Sequence, residues 1–351
     1  ALRDAGTDES TITFSPSLSG QTIYTGERGQ LQPFSTGAKV TIDASGLDQR
    51  IVISGLREDG AAPLGHNLFA LQDRHLEING LILEDTAQQG VATFGADDDL
   101  TLIDVVIRRC GTGGVGFGGD FLEMRDCEVY QNGGESVSFR DGGIGAENGN
   151  RISVTRCAIY QNSGTGIILP KNAPSFSQIY DSTIAENSAV ASASVGGIMG
   201  IIGSKANIEH TTIVDNLGYG IGSHNTDALR LNTVIIGRNR LDDGTTASLS
   251  GSGIISDGYN LCDDAPAVLL KPTDVLSSDP MVTRIGYHGG KNLCCYPLQG
   301  SPAINGGNAF ISLGASIRPD ARGFTRVVSN LFNQRPNIID IGSVEVDTTN
   351  T

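Results

Sequence analysis

Residues 155–167 read TRCAIYQNSGTGI, and the same cassette returns as MRDCEVYQNGGESV from Met124, YDSTIAENSA from Tyr180, EHTTIVDNLGYGI from Glu209 and NTVIIGRN from Asn232. Overlaying the copies aligns Ile82, Ile107, Val129, Ile159, Ile184, Ile213 and Ile236 in one column. Three residues on, a second column holds Asp85, Cys110, Asn132, Asn162, Asn187, Asn216 and Asn239. Self-similarity at a period of a few tens of residues indicates a stacked solenoid. Within each copy apolar residues alternate, as Cys157 and Ile159 do against Arg156, Ala158 and Tyr160. That period of two belongs to strands with one buried face, not to helices.

The remaining columns say how such a unit would stack. Gly80, Val105, Cys127, Cys157, Ser182, Thr211 and Val234 form a column of small or β-branched side chains, suited to an interior where each residue rests on its counterpart in the next coil. Parallel strands lie about 4.8 Å apart, so seven such coils would extend roughly 30 Å. Asn tolerates left-handed backbone, and its amide can bond both the bend that carries it and the next Asn. An inward ladder of Asn132, Asn162, Asn187, Asn216 and Asn239 would therefore turn one corner of the solenoid with its peptide groups paired. The outward column Asp104, Asp126, Arg156, Asp181 and His210 sets Arg156 between two acids. The fold class read from these columns is all-β: a parallel β-helix with an Asn ladder.

Composition agrees. The 351 residues include 47 Gly and no Trp, with 5% aromatics, which suits thin repetitive coils. A formal net charge of −15 argues against nucleic acid and anionic membrane surfaces as partners, since both need a basic footprint. No apolar run approaches the ~20 residues that span a bilayer, so membrane insertion is not expected. The chain begins without a charged and apolar leader, as expected of a secreted chain from which a signal peptide has been removed. The repeat region is assigned to 1–261, with excursions at 141–150, 171–177 and 189–195. From residue 262 to 351 the repeat fades and Pro becomes frequent, marking a C-terminal module.

Six cysteines lack the spacing of a metal site. Cys110, Cys127 and Cys157 occupy repeat columns and read as buried thiols. Cys262 with either Cys294 or Cys295 is the expected disulfide. The metal candidate is the triplet Asp97, Asp98 and Asp99, which would take calcium, although alternate side chains on an extended chain face opposite ways. No other cofactor is expected. Arg108 and Arg109 lie near this triplet in sequence, as a uronate lyase would require, but Arg109 falls in a solvent column with Gln131, Gln161 and Glu186. Tyr130 and Tyr160 share an outward column, either as a sugar platform or as a simple cross-strand pair.

The ends carry a family resemblance. The opening, ALRDAG followed by TITFSPSLSGQTI and KVTIDASG, is similar to the start of bacterial surface proteins with a CSLREA-type N-terminal motif, without that motif's Cys and with its helical stretch cut short. The ending, with SDGYNL, GSPAINGG, DARGF and DIGSVE in that order, resembles the choice-of-anchor Q domain of secreted right-handed β-helix repeat proteins. The resemblance implies a right-handed β-helix, a capping C-terminal module and an extracellular or cell-surface location. It implies no particular activity.

Enzymatic β-helices offer a second comparison. Asn225 to Asp227, Asp242, Asp243 and the YHGG at Tyr287 are similar to pieces of the pectin-hydrolase site, but His288 lies in the C-terminal module and the RIG at Arg284 precedes it instead of following. His66, His75, His210 and His224 have no Ser or Cys at catalytic spacing. The expected role is therefore structural or adhesive at a cell surface, with self-association through the solenoid ends. Binding or degradation of extracellular glycans is the alternative.

Overall fold

The computed structural model describes residues 9–27, 29, 31, 39–62, 65–72, 75–133, 142–189, 195–224, 228–264, 271–308, 318–326 and 339–346. Among the described residues the strands form three parallel sheets, of ten, eleven and eight strands, and a complete coil contributes one strand to each. In the coil that carries the opening cassette, Arg151–Thr155 lies in the first sheet, Ala158–Tyr160 in the second and Thr165–Ile168 in the third. Strand neighbours come from successive coils, paired in parallel as in Glu128↔Ala158, Val129↔Ile159 and Tyr130↔Tyr160, with register shifts where Val195–Gly200 meets Tyr219–Ser223 and Ala228–Asn232 meets Ile254–Gly258. The chain is thus a parallel β-helix. Its axial core is a continuous cluster running from Val40 to Cys262.

From the coil of Gly80 and Asp85 to that of Thr233 and Arg238, two corners are made by residues in the left-handed region. Arg156 (φ 50°) separates the first strand from the second, and Gln161 (φ 53°) separates the second from the ladder Asn. The same positions recur as Asp104, Asp126, Asp181 and His210 at one corner, and as Arg109, Gln131, Glu186 and Asp215 at the other. Polar side chains point outward from these bends, Asp181 and His210 among them being covered by the C-terminal module.

Inside the second corner, Asn132, Asn162, Asn187, Asn216 and Asn239 are all at most 1% exposed. Each Nδ2 of the first four donates to the next Asn Oδ1 at 2.9–3.0 Å. Each Oδ1 from Asn162 to Asn239 also accepts the preceding Asn's backbone N–H at 3.0–3.2 Å. A glycine column faces this ladder. A Cβ on Gly143 would lie 2.6 Å from Ile159 Cγ2 and 3.2 Å from Asn162 Nδ2, and one on Gly166 would lie 2.8 Å from Ile184 Cγ2. The repeated glycine after each Asn is therefore room for the next rung.

The first copy of the repeat sits one residue later than the sequence overlay places it. Leu83, not Ile82, pairs with Ile107, so Leu81 and Thr86 replace Gly80 and Asp85 in the inner columns. Leu81, Ile82 and Leu83 are all apolar, so alternation cannot fix the phase there, and a slip of one residue exchanges the faces. Gly80 (φ 71°) and Asp85 (φ 56°) instead take the two left-handed corners.

The stack continues past residue 261: Leu261–Cys262 pairs with Val275–Leu276, and Asp274 Oδ1 accepts Asn260 Nδ2 at 3.1 Å. The described residues that follow run back along the outer face of the second sheet. Val282, Cys295, Ala303 and Ile341 pack on Ala185, Val214, Ile235 and Leu261. Farther back, Asn292 Nδ2 donates to the Arg156 carbonyl, and Lys291 reaches Asp104 at 3.6 Å. From the coil of Thr233 to that of Asp104 is five coils, about 24 Å. The composition of the flank explains the docking. Ala158-Ile159-Tyr160, Thr183-Ile184-Ala185 and Thr212-Ile213-Val214 are buried at all three positions, as strands covered on both faces are.

Several sequence expectations change here. Ile339, Ile341 and Val344 are at most 1% exposed and pack within the C-terminal module and on the flank. The excursion placed at 141–150 contains Gly142–Gly145, which is a strand of the third sheet. All six cysteines are free and buried. The disulfide expected of Cys262 with Cys294 or Cys295 is not formed, because Cys262 lies in the axial core, Cys295 on the flank and Cys294 against Ala321 and Val344. Burial raises the thiols, Cys262 to about 11 and Cys294 to about 12, and leaves them unreactive.

Candidate functional site

The outer face of the third sheet is bare where its strands are richest in glycine. Gln89–Thr93, Gly113–Gly116 and Gly142–Gly145 pair in succession. Their outward positions include Ala92, Gly116 and Gly145, so the sheet backbone itself floors an open groove of about 210 Å³. Gln89, Thr93, Phe94, Glu147 and Asn148 stand around it.

Each wall residue is held from within the fold. Gln89 lies flat over Gly116, where a Cβ would come within 2.4 Å of its amide. Thr93 Oγ1 accepts the Gly118 N–H at 2.8 Å. Phe94 is 56% exposed, and its loop is pinned by Asp98, whose buried Oδ2 accepts the Phe94 and Gly95 N–H groups at 3.0 and 2.8 Å. Glu147 and Asn148 occupy the turn after Gly142–Gly145, and Asn148 Nδ2 lies 3.4 Å from Glu147 Oε1. The lining therefore offers two aromatic rings, the exposed Phe94 and the buried Phe117, with two amides, a hydroxyl and a single carboxylate. None of its residues is Lys, Arg or His.

The acidic triplet does not converge on a cation. Asp97 is exposed, Asp98 is turned inward to the Phe94 loop, and Asp99 Oδ2 pairs with His75 Nδ1 at 2.8 Å. Among the described residues no three His, Cys, Asp or Glu side chains are grouped to hold a metal. Arg109 does not reach the triplet either. It makes a two-pronged pair with Asp85, Nε–Oδ1 2.7 Å and Nη2–Oδ2 2.8 Å. Arg108 Nε donates to Glu84 at 2.7 Å and its Nη1 to the Tyr130 hydroxyl at 3.0 Å.

Tyr130 and Tyr160 stack with centroids 4.7 Å apart and planes at 12°. Tyr160 is only 6% exposed under the docked segment, so the pair packs the flank and leaves no open platform. Burial raises the neighbouring Glu128 carboxyl, which accepts the Tyr160 hydroxyl at 3.3 Å.

Arg156, expected between two acids, pairs with Asp126 through Nε and Nη2, both at 2.7 Å, while Asp181 is taken by Arg318 and Arg326 of the C-terminal module. Residues 225–227 lie outside the described residues. Asp243 closes a local turn, its Oδ1 accepting the Thr245 N–H at 2.8 Å, and these hydrogen bonds lower its pKa. His288 bonds Thr283 within the C-terminal module, 3.0 Å away.

Sequence reasoning passed over Phe94, Glu147 and Gln89. The available signal was the run of glycine pairs at 113–114 and 142–143, which marks a sheet face without side chains.

Comparison with known proteins bears on this geometry. Residues 66–241 match the family described as "right handed beta helix region". A crystal structure of the pectate lyase Pel9A superposes with a TM-score of 0.55, at 14% sequence identity, over 95% of this chain and 87% of that one. No curated protein matches the chain in sequence.

Proposed function

Because this chain belongs to the right-handed β-helix family, which presents its outer sheet faces as long flat surfaces, we propose that it is an extracellular protein that binds polysaccharide and serves an adhesive role. The observation that carries the proposal is the groove on the third sheet, with the Phe94 ring exposed above a floor of Gly116 and Gly145. A pyranose has an apolar C–H face and a rim of hydroxyls. Phe94 offers the complementary apolar surface, and Gln89, Asn148 and Glu147 offer donors and acceptors at its edge. The cavity is smaller than the 300–1,000 Å³ that typically encloses a drug-sized ligand, so an open stretch of chain fits it better than a small molecule. The resemblance of the C-terminal motifs to the choice-of-anchor Q domain supports the extracellular setting.

Binding is favoured over cleavage by the lining itself. Glycoside hydrolysis ordinarily uses two carboxyl groups across the scissile bond, and the groove supplies one, Glu147. β-Elimination on a uronate needs a base together with a group that neutralises the sugar carboxylate, and the lining has no basic side chain. A neutral glycan is therefore the ligand class.

Calorimetry and glycan arrays test the proposal. We expect binding of a neutral polysaccharide that weakens at least tenfold in Phe94→Ala and measurably in Glu147→Gln, with no reducing sugar or unsaturated product released. Binding indifferent to both substitutions would reject the groove. Turnover abolished by Glu147→Gln would replace binding with catalysis.

A further inference from the structure

The groove on the third sheet holds a buried side chain whose polar end has nothing to bind within the protein. Gln89 is 6% exposed and lines the groove. Its backbone N–H donates to Asn67 Oδ1 at 3.1 Å, which fixes the start of the strand Gln89–Thr93. Among the described residues neither Oε1 nor Nε2 of its side chain has a hydrogen-bond partner. The other polar side chains of the lining are engaged: Thr93 Oγ1 accepts the Gly118 N–H, and Asn148 reaches Glu147. A buried amide without a partner costs free energy, and native structures keep few of them.

The fold also clears a place for this amide. A Cβ on Gly116, one coil on, would lie 2.2 Å from Gln89 Oε1, 2.3 Å from Nε2 and 2.4 Å from the carbon between them. Gly116 is not in the left-handed region, so its backbone alone does not call for glycine. The atoms that a methyl group would displace belong to the far end of a flexible side chain. Glycine at 116 therefore sets the position of the amide and not that of the sheet.

We infer that the Gln89 amide selects the ligand of the groove, Oε1 accepting from one ring hydroxyl and Nε2 donating to its neighbour, so that the groove takes a glycan with an unsubstituted pair of adjacent hydroxyls. This role rests on the reading of the groove as a site for neutral glycan. An amide presents an acceptor and a donor side by side, and two hydroxyls on adjacent ring carbons present the matching pair, since each can donate or accept. At the other end of the same strand the Thr93 oxygen is turned to the Gly118 N–H, which leaves its proton for a ligand oxygen. Phe94, next in the chain, supplies the apolar face against which the ring lies. A sugar offering a lone hydroxyl would satisfy half of the amide and leave the other half unpaired, and a site built around a hydrogen bond rejects a ligand that cannot make it.

Linkage decides which glycans qualify. In a hexose chain joined through the fourth carbon, the hydroxyls on the second and third carbons are free and adjacent. In a chain joined through the third carbon, the internal residues keep hydroxyls on the second, fourth and sixth carbons, no two of them adjacent. The two polymers share one neutral sugar and one apolar ring face.

Calorimetry on the parent, with glucose, mannose and galactose chains each in four-linked and three-linked form, tests the assignment. The three-linked chains are long, so that only the chain end carries an adjacent pair, and affinity is compared per sugar residue. We expect a four-linked chain to bind roughly tenfold or more tightly than the three-linked form of the same sugar. Gln89→Ala and Gly116→Ala should each remove that preference, and the double variant should bind as Gln89→Ala does, because the methyl group at 116 acts only through the amide. Phe94→Ala should weaken both forms together. Equal or reversed affinity for the two linkages, or a Gly116→Ala variant that keeps the parent's preference, overturns the role of Gln89; the groove still stands as a glycan site if Phe94→Ala weakens binding. Failure of all six chains to bind overturns both. Far-UV circular dichroism identifies a variant that has not folded, and the linkage comparison on the parent decides the matter even then.

Discussion

Asn162→Ala removes the middle rung of the ladder, and the structure states what is lost. Asn162 Oδ1 accepts the backbone N–H and the Nδ2 of Asn132, both at 3.0 Å, while its own Nδ2 donates to the Val129 carbonyl at 3.0 Å and to Asn187 Oδ1 at 2.9 Å. Four hydrogen bonds at a net ~1 kcal/mol each amount to about 4 kcal/mol, and the Asn132 N–H is left unpaired in a position with no exposure. Domains of ordinary stability have only ~5–15 kcal/mol to lose. Urea denaturation followed by far-UV circular dichroism measures the change. Gln161→Ala is the internal control, because this outward neighbour makes one exposed bond, to Glu186 at 2.8 Å, and should cost under ~0.5 kcal/mol.

Asn162→Asp separates hydrogen bonding from shape. It keeps the acceptor toward Asn132 but turns an oxygen on Val129 O and Asn187 Oδ1, so the carboxyl is held in its protonated form and its pKa in the folded state is raised. Stability should then be present at low pH and be lost as the pH rises through that raised value. A loss below 1 kcal/mol in Asn162→Ala, or one equal to that of Gln161→Ala, would refute the view that the ladder carries the corner.

The ladder stops at Cys110, although Gly90 stands to its Sγ (3.2 Å) as Gly114 and Gly143 stand to the next two Asn Nδ2 atoms (3.2 Å each). Cys110→Asn should therefore add a rung and raise stability by about 1 kcal/mol in the same denaturation assay; destabilisation would show that the coil of Cys110 lacks the space. End-to-end assembly is proposed from the described edges of the stack, Ser10–Thr13 and Thr22–Tyr24 at one end and Leu249–Gly251, Ile254–Gly258 and Val275–Leu276 at the other. Multi-angle light scattering should show concentration-dependent oligomers that Leu276→Lys reduces, this side chain being 49% exposed on the terminal strand; a strictly monomeric parent would remove the idea.

The solenoid and its Asn ladder were legible in the sequence, because each is a local pattern repeated at fixed offsets; that the left-handed bends fall on Arg156 and on Gln161, the residue before the ladder Asn, was not. Asn162 follows Ile159 by three residues, as Asn187 follows Ile184 and Asn216 follows Ile213, and alternation fixes which side faces in. The pattern lost its phase only where Leu81-Ile82-Leu83 offered three apolar residues in a row. The groove was not legible, because Phe94, Gly116 and Glu147 come from three successive coils and meet only once strand register sets the columns side by side. The position of the C-terminal module was decided by tertiary contact alone. Arg326 and Asp181 are 145 residues apart, and nothing local to either one announces the other. A repeat writes its own fold because neighbouring coils satisfy one another. A site or a docking surface draws on residues that only the stacking brings together.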